Sequence, residues 1–125
     1  MKNRDNKFKK SDAITLINNE LGTDKISNAN TVYSNINKTA PCWWLNISPS
    51  KFKNSLNILL VEEDELIWIN LPKGCCYPPE DFFNTRNDNG KVDLRIGTEE
   101  PDYLKDYLSF NNFDFKSHVK NRLKI

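Results

Sequence analysis

The sequence predicts an α+β fold in which a mostly antiparallel sheet of about four strands is flanked by N- and C-terminal helices. Three observations predict it. Apolar residues recur at helical spacing near both ends, several strand-like segments lie between them, and an acidic stretch of only four residues (62–65) separates the two most apolar segments. Such a short connection excludes a parallel crossover, so these two strands should form an antiparallel hairpin.

Two helices are expected before the first strand. The first is predicted at residues 12–21, where apolar side chains recur three and four residues apart and Gly22 can adopt the left-handed conformation that ends a helix. Residues 27–37 keep a similar spacing but contain many Asn and Thr residues, which are poor helix formers. Helix is preferred for this second segment, and strand is left open.

The strands are predicted at residues 42–48, 56–63, 66–71 and 91–97. In the first strand the side chains alternate, so the adjacent Trp43 and Trp44 must point to opposite faces of the sheet. The second and third strands are apolar on both faces, which indicates a central position with both faces covered.

Two further helices are predicted after the last strand. Thr98 and the acids that follow it form a helix start, and apolar residues within 103–108 form a stripe on one face. Asp114 can cap a last, basic helix that carries Phe115 and Leu123 on one side.

The 125-residue length fits one domain at residues 11–125 behind a flexible, basic N-terminus at residues 1–10. No apolar run approaches the ~18 residues of a membrane span, and none follows the first basic residues as in a secretory signal. An odd number of cysteines, three, then favours a reducing cytoplasm. Frequent Asn and Lys with few Ala and Arg suggest AT-rich coding and a bacterial or phage origin.

The net charge of +1 conceals an uneven distribution of charge along the chain. Residues 1–10 hold five bases and one acid, residues 116–125 hold four bases and no acid, and residues 11–115 are acidic. If the two basic ends meet in space, they form a patch suited to nucleic acid. Alternatively, the ends are solvated without a role and the acidic body binds a protein.

Catalytic signatures are weak. The sequence contains no P-loop, dinucleotide-binding fingerprint or H-E-x-x-H motif. The alternative to a binding function is a metal-dependent, nuclease-like hydrolase in which Asp93 acts with carboxylates of the acidic turn, Glu63 and Glu65. Cys75 and Cys76 are interpreted as ordinary buried thiols without an assigned role. We therefore expect no bound metal and no small-molecule cofactor, and we favour a binding protein over an enzyme.

Trp44 is the side chain most expected to contact a partner. It cannot share the core that Trp43 fills, and tryptophan is enriched at interfaces. Alternatively, the sheet is covered on both faces and both rings are buried. With Lys51 or Lys53 nearby, Trp44 could also stack on a nucleobase while a lysine binds phosphate.

A helix at residues 27–37 would present Asn35 and Lys38 in the manner of a helix-turn-helix protein, because Asn reads bases and Lys contacts phosphates. The preferred function is therefore a small, non-catalytic binding or accessory module. Its expected partner is nucleic acid or another protein, and no membrane contact is expected.

Overall fold

The structure is a computed structural model that describes residues 8–22 and 26–125. Within those residues it has one α-helix, α1 (Lys10–Leu21), and eight strands: β1 (Thr31–Ser34), β2 (Ile36–Asn37), β3 (Cys42–Ile47), β4 (Leu56–Glu62), β5 (Glu65–Leu71), β6 (Asn84–Thr85), β7 (Val92–Gly97) and β8 (Val119–Lys124). Four short 3₁₀ turns lie at Asn28–Asn30, Pro49–Lys53, Pro79–Asp81 and Lys116–His118.

The strands form two four-stranded sheets. The first has the order β1-β4-β5-β8 and the second has the order β2-β3-β7-β6. Strand β1 runs parallel to β4, and the other neighbouring strands are antiparallel. Buried side chains from both sheets form one apolar cluster, which shows that the sheets pack face to face.

Helix α1 covers the outer face of the first sheet. Its buried residues Ala13 and Ile17 pack against Leu59, Leu66 and Trp68, which point away from the core between the sheets. Leu59 lies between two inward-facing residues of β4, so the continuous apolar run in this strand serves both faces. No helix in the described part of the chain is long and apolar enough to cross a membrane.

The predicted fold class is wrong, because the protein has two packed sheets with one α-helix rather than one sheet flanked by helices at both ends. The N-terminal helix, the β4–β5 hairpin and the strands β3 and β7 are confirmed. The predicted flexible N-terminus falls largely on residues 1–7, which lie outside the described residues.

The helix predicted at residues 27–37 is wrong. A single 3₁₀ turn at Asn28–Asn30 is followed by the strands β1 and β2. Thr31, Val32 and Tyr33 are β-branched or aromatic residues, which fit a pleated surface better than a helix. Strand β1 pairs with β4, a partner far along the chain that the local spacing could not indicate.

Both helices predicted after β7 are also wrong. Residues 98–108 form turns and isolated bridges, and Leu104 has a φ of 58°, which a right-handed helix excludes. The last predicted helix is instead the 3₁₀ turn Lys116–His118 followed by β8. There Leu123 pairs with Leu66, so β8 covers an edge of β5 that would otherwise be unpaired.

Candidate binding surface

The two adjacent tryptophans of β3 lie on opposite faces of the second sheet. Trp43 is fully buried, and its Nε1 donates a hydrogen bond of 2.9 Å to the carbonyl oxygen of Val61 in the first sheet. Trp44 is 40% exposed on the outer face. The strand alternation therefore assigns one ring to the core and presents the other to solvent.

Asp93 fixes the position of the exposed ring. The Trp44 Nε1 donates a hydrogen bond of 2.7 Å to Asp93 Oδ1 on the neighbouring strand β7. Asp93 is only 5% exposed, so this bond to a charged acceptor is largely shielded from water. In the register of β3 and β7, Trp44 pairs with Arg95 and Asp93 with Asn46, so the indole reaches diagonally across the sheet.

Arg95 lies against the same ring. Its Cζ is 4.6 Å from the centroid of the Trp44 ring, which is a cation–π contact. The Arg95 Nε is buried and lacks a hydrogen-bond partner within residues 8–22 and 26–125. A buried donor without a partner costs free energy.

Tyr107 is joined to Arg95 through the backbone. Its backbone N–H donates to the Arg95 carbonyl oxygen at 3.0 Å, and its ring is 40% exposed. The segment can approach β7 because Gly97 lacks a Cβ, which would collide with the backbone of Asp102. Burial, with a contribution from Cys42, raises the pKa of Tyr107 to about 12. We call Trp44, Arg95 and Tyr107 the aromatic–arginine face.

The rim of this face is acidic on one side. Tyr107 borders a cleft of about 350 Å³ whose lining includes three carboxylates, Glu99, Glu100 and Asp102. Elsewhere on the rim, Asn84 of β6 pairs with Asp93 and lines a smaller cleft with the fully exposed Phe110. The face therefore combines aromatic rings, one arginine and an acidic border.

Replacing Asp93 tests whether this carboxylate holds Trp44. We expect Asp93→Ala to lower the free energy of unfolding by about 1.5 kcal/mol, because a shielded hydrogen bond to a charged group is lost. Urea denaturation followed by circular dichroism measures the change. Asp88→Ala is the matched control, since Asp88 is exposed and its ion pair with Arg86 lies at the surface, where ion pairs contribute little. Equal stability of Asp93→Ala and wild type would contradict the assignment.

Asp106 supports the face from the interior. This fully buried carboxylate accepts hydrogen bonds of 3.2 Å from the backbone N–H groups of Arg95 and Leu108. It thereby joins β7 to the segment that carries Tyr107. Burial raises the pKa of the Asp106 carboxyl above its ordinary value.

The raised pKa of Asp106 predicts a pH-dependent effect of Asp106→Asn. Above the folded-state pKa the buried carboxylate costs stability, and the cost disappears as the pH falls, because the folded state takes up the proton first. The amide keeps an oxygen for both backbone donors, so we expect the variant to be more stable than wild type at about pH 7 and the gain to shrink toward about pH 4. Urea denaturation at both pH values measures this. A gain of the same size at both would show that ionisation is not its cause.

The structure separates the other predicted binding residues from Trp44. The Nζ of Lys51 donates a hydrogen bond of 2.8 Å to the carbonyl oxygen of Ala29, beside the start of β1. The Nζ of Lys53 lies 6.0 Å from the centroid of the Tyr77 ring. Their contacts are thus with other parts of the chain, and no nucleobase platform of Trp44 with these lysines is evident in the described contacts.

Asn35 and Lys38 lie at the opposite end of β1, in a cleft of about 510 Å³. Phe8 and Ile125 line the same cleft, so a residue of the basic segment 1–10 is close to the end of the basic segment 116–125. The five predicted binding residues therefore occupy three separate places on the surface.

The acids of the alternative hydrolase site are also apart. Asp93 lies on the second sheet, whereas Glu63 and Glu65 lie at the hairpin of the first sheet. Among residues 8–22 and 26–125, no group of three His, Cys, Asp or Glu side chains is arranged to hold a metal ion.

The acidic hairpin pairs instead with the basic strand β8. The Nζ of Lys124 lies 3.0 Å from Asp64 Oδ2, and Arg122 Nη1 lies 3.3 Å from Glu65 Oε1. The interaction with Lys124 lowers the pKa of the Asp64 carboxyl. Part of the charge separation seen along the sequence is therefore neutralised within the first sheet.

Arg95 and Tyr107 were not among the predicted site residues. In a strand at 91–97 with Val92, Leu94 and Ile96 inward, Arg95 lies on the outward face, and pairing this strand with β3 would have brought it to Trp44. Tyr107 carried no such signal, because its segment was predicted to be a helix.

Comparisons of the chain with models of protein families, with curated proteins and with solved structures find no match. The residues and the geometry of the aromatic–arginine face are therefore the basis for the functional proposal.

Proposed function

We propose that this protein is a non-catalytic binding module that recognises a protein partner through the aromatic–arginine face. One observation carries the proposal: Trp44 and Arg95 are in contact, and the exposed Tyr107 is joined to Arg95 through its backbone, on a sheet face that α1, the α-helix of the described residues, leaves uncovered. Tryptophan, tyrosine and arginine are the residue types that most often dominate the binding energy of protein interfaces. The opposite outer face, by contrast, is covered by α1.

The charges favour a protein partner over nucleic acid. Glu99, Glu100 and Asp102 would repel a phosphate backbone close to Tyr107. A protein segment can bind both the arginine and the acidic cleft, because it can place a carboxylate or carbonyl oxygen at Arg95 and a basic side chain at the cleft. This proposal combines the exposed tryptophan with the acidic body as recognition elements.

Site-specific crosslinking tests the proposal. Asn46 is exposed beside Trp44, so a photoreactive phenylalanine analogue replacing it should crosslink to the partner in an extract of the source cells. The same analogue replacing the exposed Asn54, beyond the turn that follows β3, is the control. The captured protein is then purified and its direct binding is measured by titration calorimetry. A partner that crosslinks equally from both positions, or that does not bind when purified, would contradict the proposal.

A second candidate function is nucleic-acid binding at the cleft that Phe8 and Ile125 line. Its supporting observation is that Asn35 and Lys38 share this cleft with Phe8 and Ile125. Fluorescence anisotropy with labelled DNA and RNA at about 50 and about 200 mM salt tests it, because binding through phosphates weakens steeply with salt. Salt-sensitive binding that Lys38→Ala weakens and Trp44→Ala leaves intact would support it. Flat anisotropy with every strand would exclude it.

A further inference from the structure

Two adjacent cysteines lie in the turn that follows β5. The backbone N–H of Cys75 donates to the Pro72 carbonyl oxygen at 3.0 Å, which closes the turn. The Sγ atoms of Cys75 and Cys76 are 2.9 Å apart, within hydrogen-bond contact. Both cysteines are free thiols. Neighbouring side chains on a strand point to opposite faces, so a turn is needed to bring these two sulfurs together.

The two thiols have different surroundings. Cys75 is half-buried, whereas Cys76 is 2% exposed and belongs to the core cluster that also contains Phe83. Burial raises the pKa of the Cys76 thiol, and the neighbouring Cys75 raises it further. A reagent in solution therefore meets the sulfur of Cys75 first.

We propose that Cys75 and Cys76 are a dithiol modification site that reacts with small-molecule disulfides of the glutathione class to form a disulfide between the two adjacent residues. The half-buried and the buried cysteine have different roles. Cys75 is the attacking thiol, and Cys76 is the resolving thiol.

The reaction proceeds in two exchange steps. The Cys75 thiolate attacks one sulfur of the small disulfide, its S–S bond breaks, and one small thiolate leaves while a mixed disulfide forms on Cys75. Cys76 then loses its proton and attacks the Cys75 sulfur, which releases the second small thiol. The protein dithiol is oxidised by two electrons, and the small disulfide is reduced to two thiols.

The contact between the sulfurs favours the second step. Once Cys75 is part of a mixed disulfide, its sulfur carries no negative charge, so its charge no longer opposes ionisation of Cys76. Cys76 is already in contact with the Cys75 sulfur that it attacks, so the internal step has a high effective concentration. We therefore expect the mixed disulfide to be short-lived in the wild type.

Intact-protein mass spectrometry after incubation with oxidised glutathione tests this proposal. The wild type should lose about 2 Da without retaining glutathione, and dithiothreitol should restore the original mass. Trypsin cleavage after Lys73 and Arg86 should place the mass loss in peptide 74–86, which contains both cysteines. Cys42→Ser is the matched control, since Cys42 is buried on β3, and it should behave as the wild type.

Removing the resolving thiol should trap the first step. Cys76→Ala should retain one glutathione on Cys75, a gain of about 305 Da, whereas Cys75→Ala should react far more slowly. The wild-type result does not depend on either variant folding normally. A wild type that keeps both thiols free, or that retains glutathione on Cys75, would overturn the proposal.

Discussion

Trp43→Ala is expected to lower the free energy of unfolding by about 3–5 kcal/mol, the range observed when a buried large aromatic side chain is removed. The Trp43 ring is fully buried between the sheets, and its Nε1 hydrogen bond to Val61 connects β3 with β4. Its removal leaves both a cavity and an unpaired carbonyl oxygen. Guanidinium denaturation followed by circular dichroism measures the change, because fluorescence would itself be altered by the loss of a tryptophan.

The adjacent residue provides the internal control. Trp44→Ala should lower the free energy of unfolding by about 1 kcal/mol or less, because the ring is exposed and water can reach the Asp93 carboxylate in its place. Equal losses for the two variants would show that the two tryptophans are not divided between core and surface.

Trp44→Ala and Arg95→Ala should each weaken binding of the purified partner by about 2 kcal/mol or more, a factor of roughly 30. Trp44 supplies the largest apolar area of the aromatic–arginine face, and Arg95 supplies the guanidinium that lies against its ring. Titration calorimetry measures both affinities. Tyr77→Ala is the matched control, because Tyr77 is exposed to a similar degree but lies in the turn near Lys53.

Arg95→Lys separates the charge of Arg95 from its shape. Lysine keeps the positive charge but loses the planar group that lies against Trp44, so we expect little recovery of affinity. Full affinity in Arg95→Lys would show that the partner recognises only the positive charge at this position. Unchanged affinity in both alanine variants would show that the partner binds at another surface.

Local sequence patterns were sufficient where a segment and its partner are close along the chain. The β4–β5 hairpin follows from two apolar strands joined by a short acidic connection, and its register pairs Leu56 with Leu71. The alternation in β3 correctly separated Trp43 from Trp44. Helix α1 was found because its apolar stripe is local and Gly22 ends it with a φ of 63°.

Tertiary contacts determine the conformation of the segments that were predicted wrongly. Acids near Thr98 resemble a helix start, yet Asp106 turns inward to bind the backbone of β7 and Leu104 adopts a positive φ. Strand β8 pairs with β5 across the long segment 72–118, and local spacing carries no information on such a partner. The same limitation concealed Tyr107, whereas the outward position of Arg95 was visible in the sequence.

The chain alternates between the two sheets. Strand β1 belongs to the first sheet, β2 and β3 to the second, β4 and β5 to the first, β6 and β7 to the second, and β8 again to the first. Neither sheet can therefore be completed before a large part of the other has been synthesised. Closing these long loops costs entropy before the pairing contacts repay it, which predicts slow folding, on the order of milliseconds to seconds. It also predicts that no fragment ending before β8 folds with a complete first sheet, so unfolding should be cooperative across both sheets.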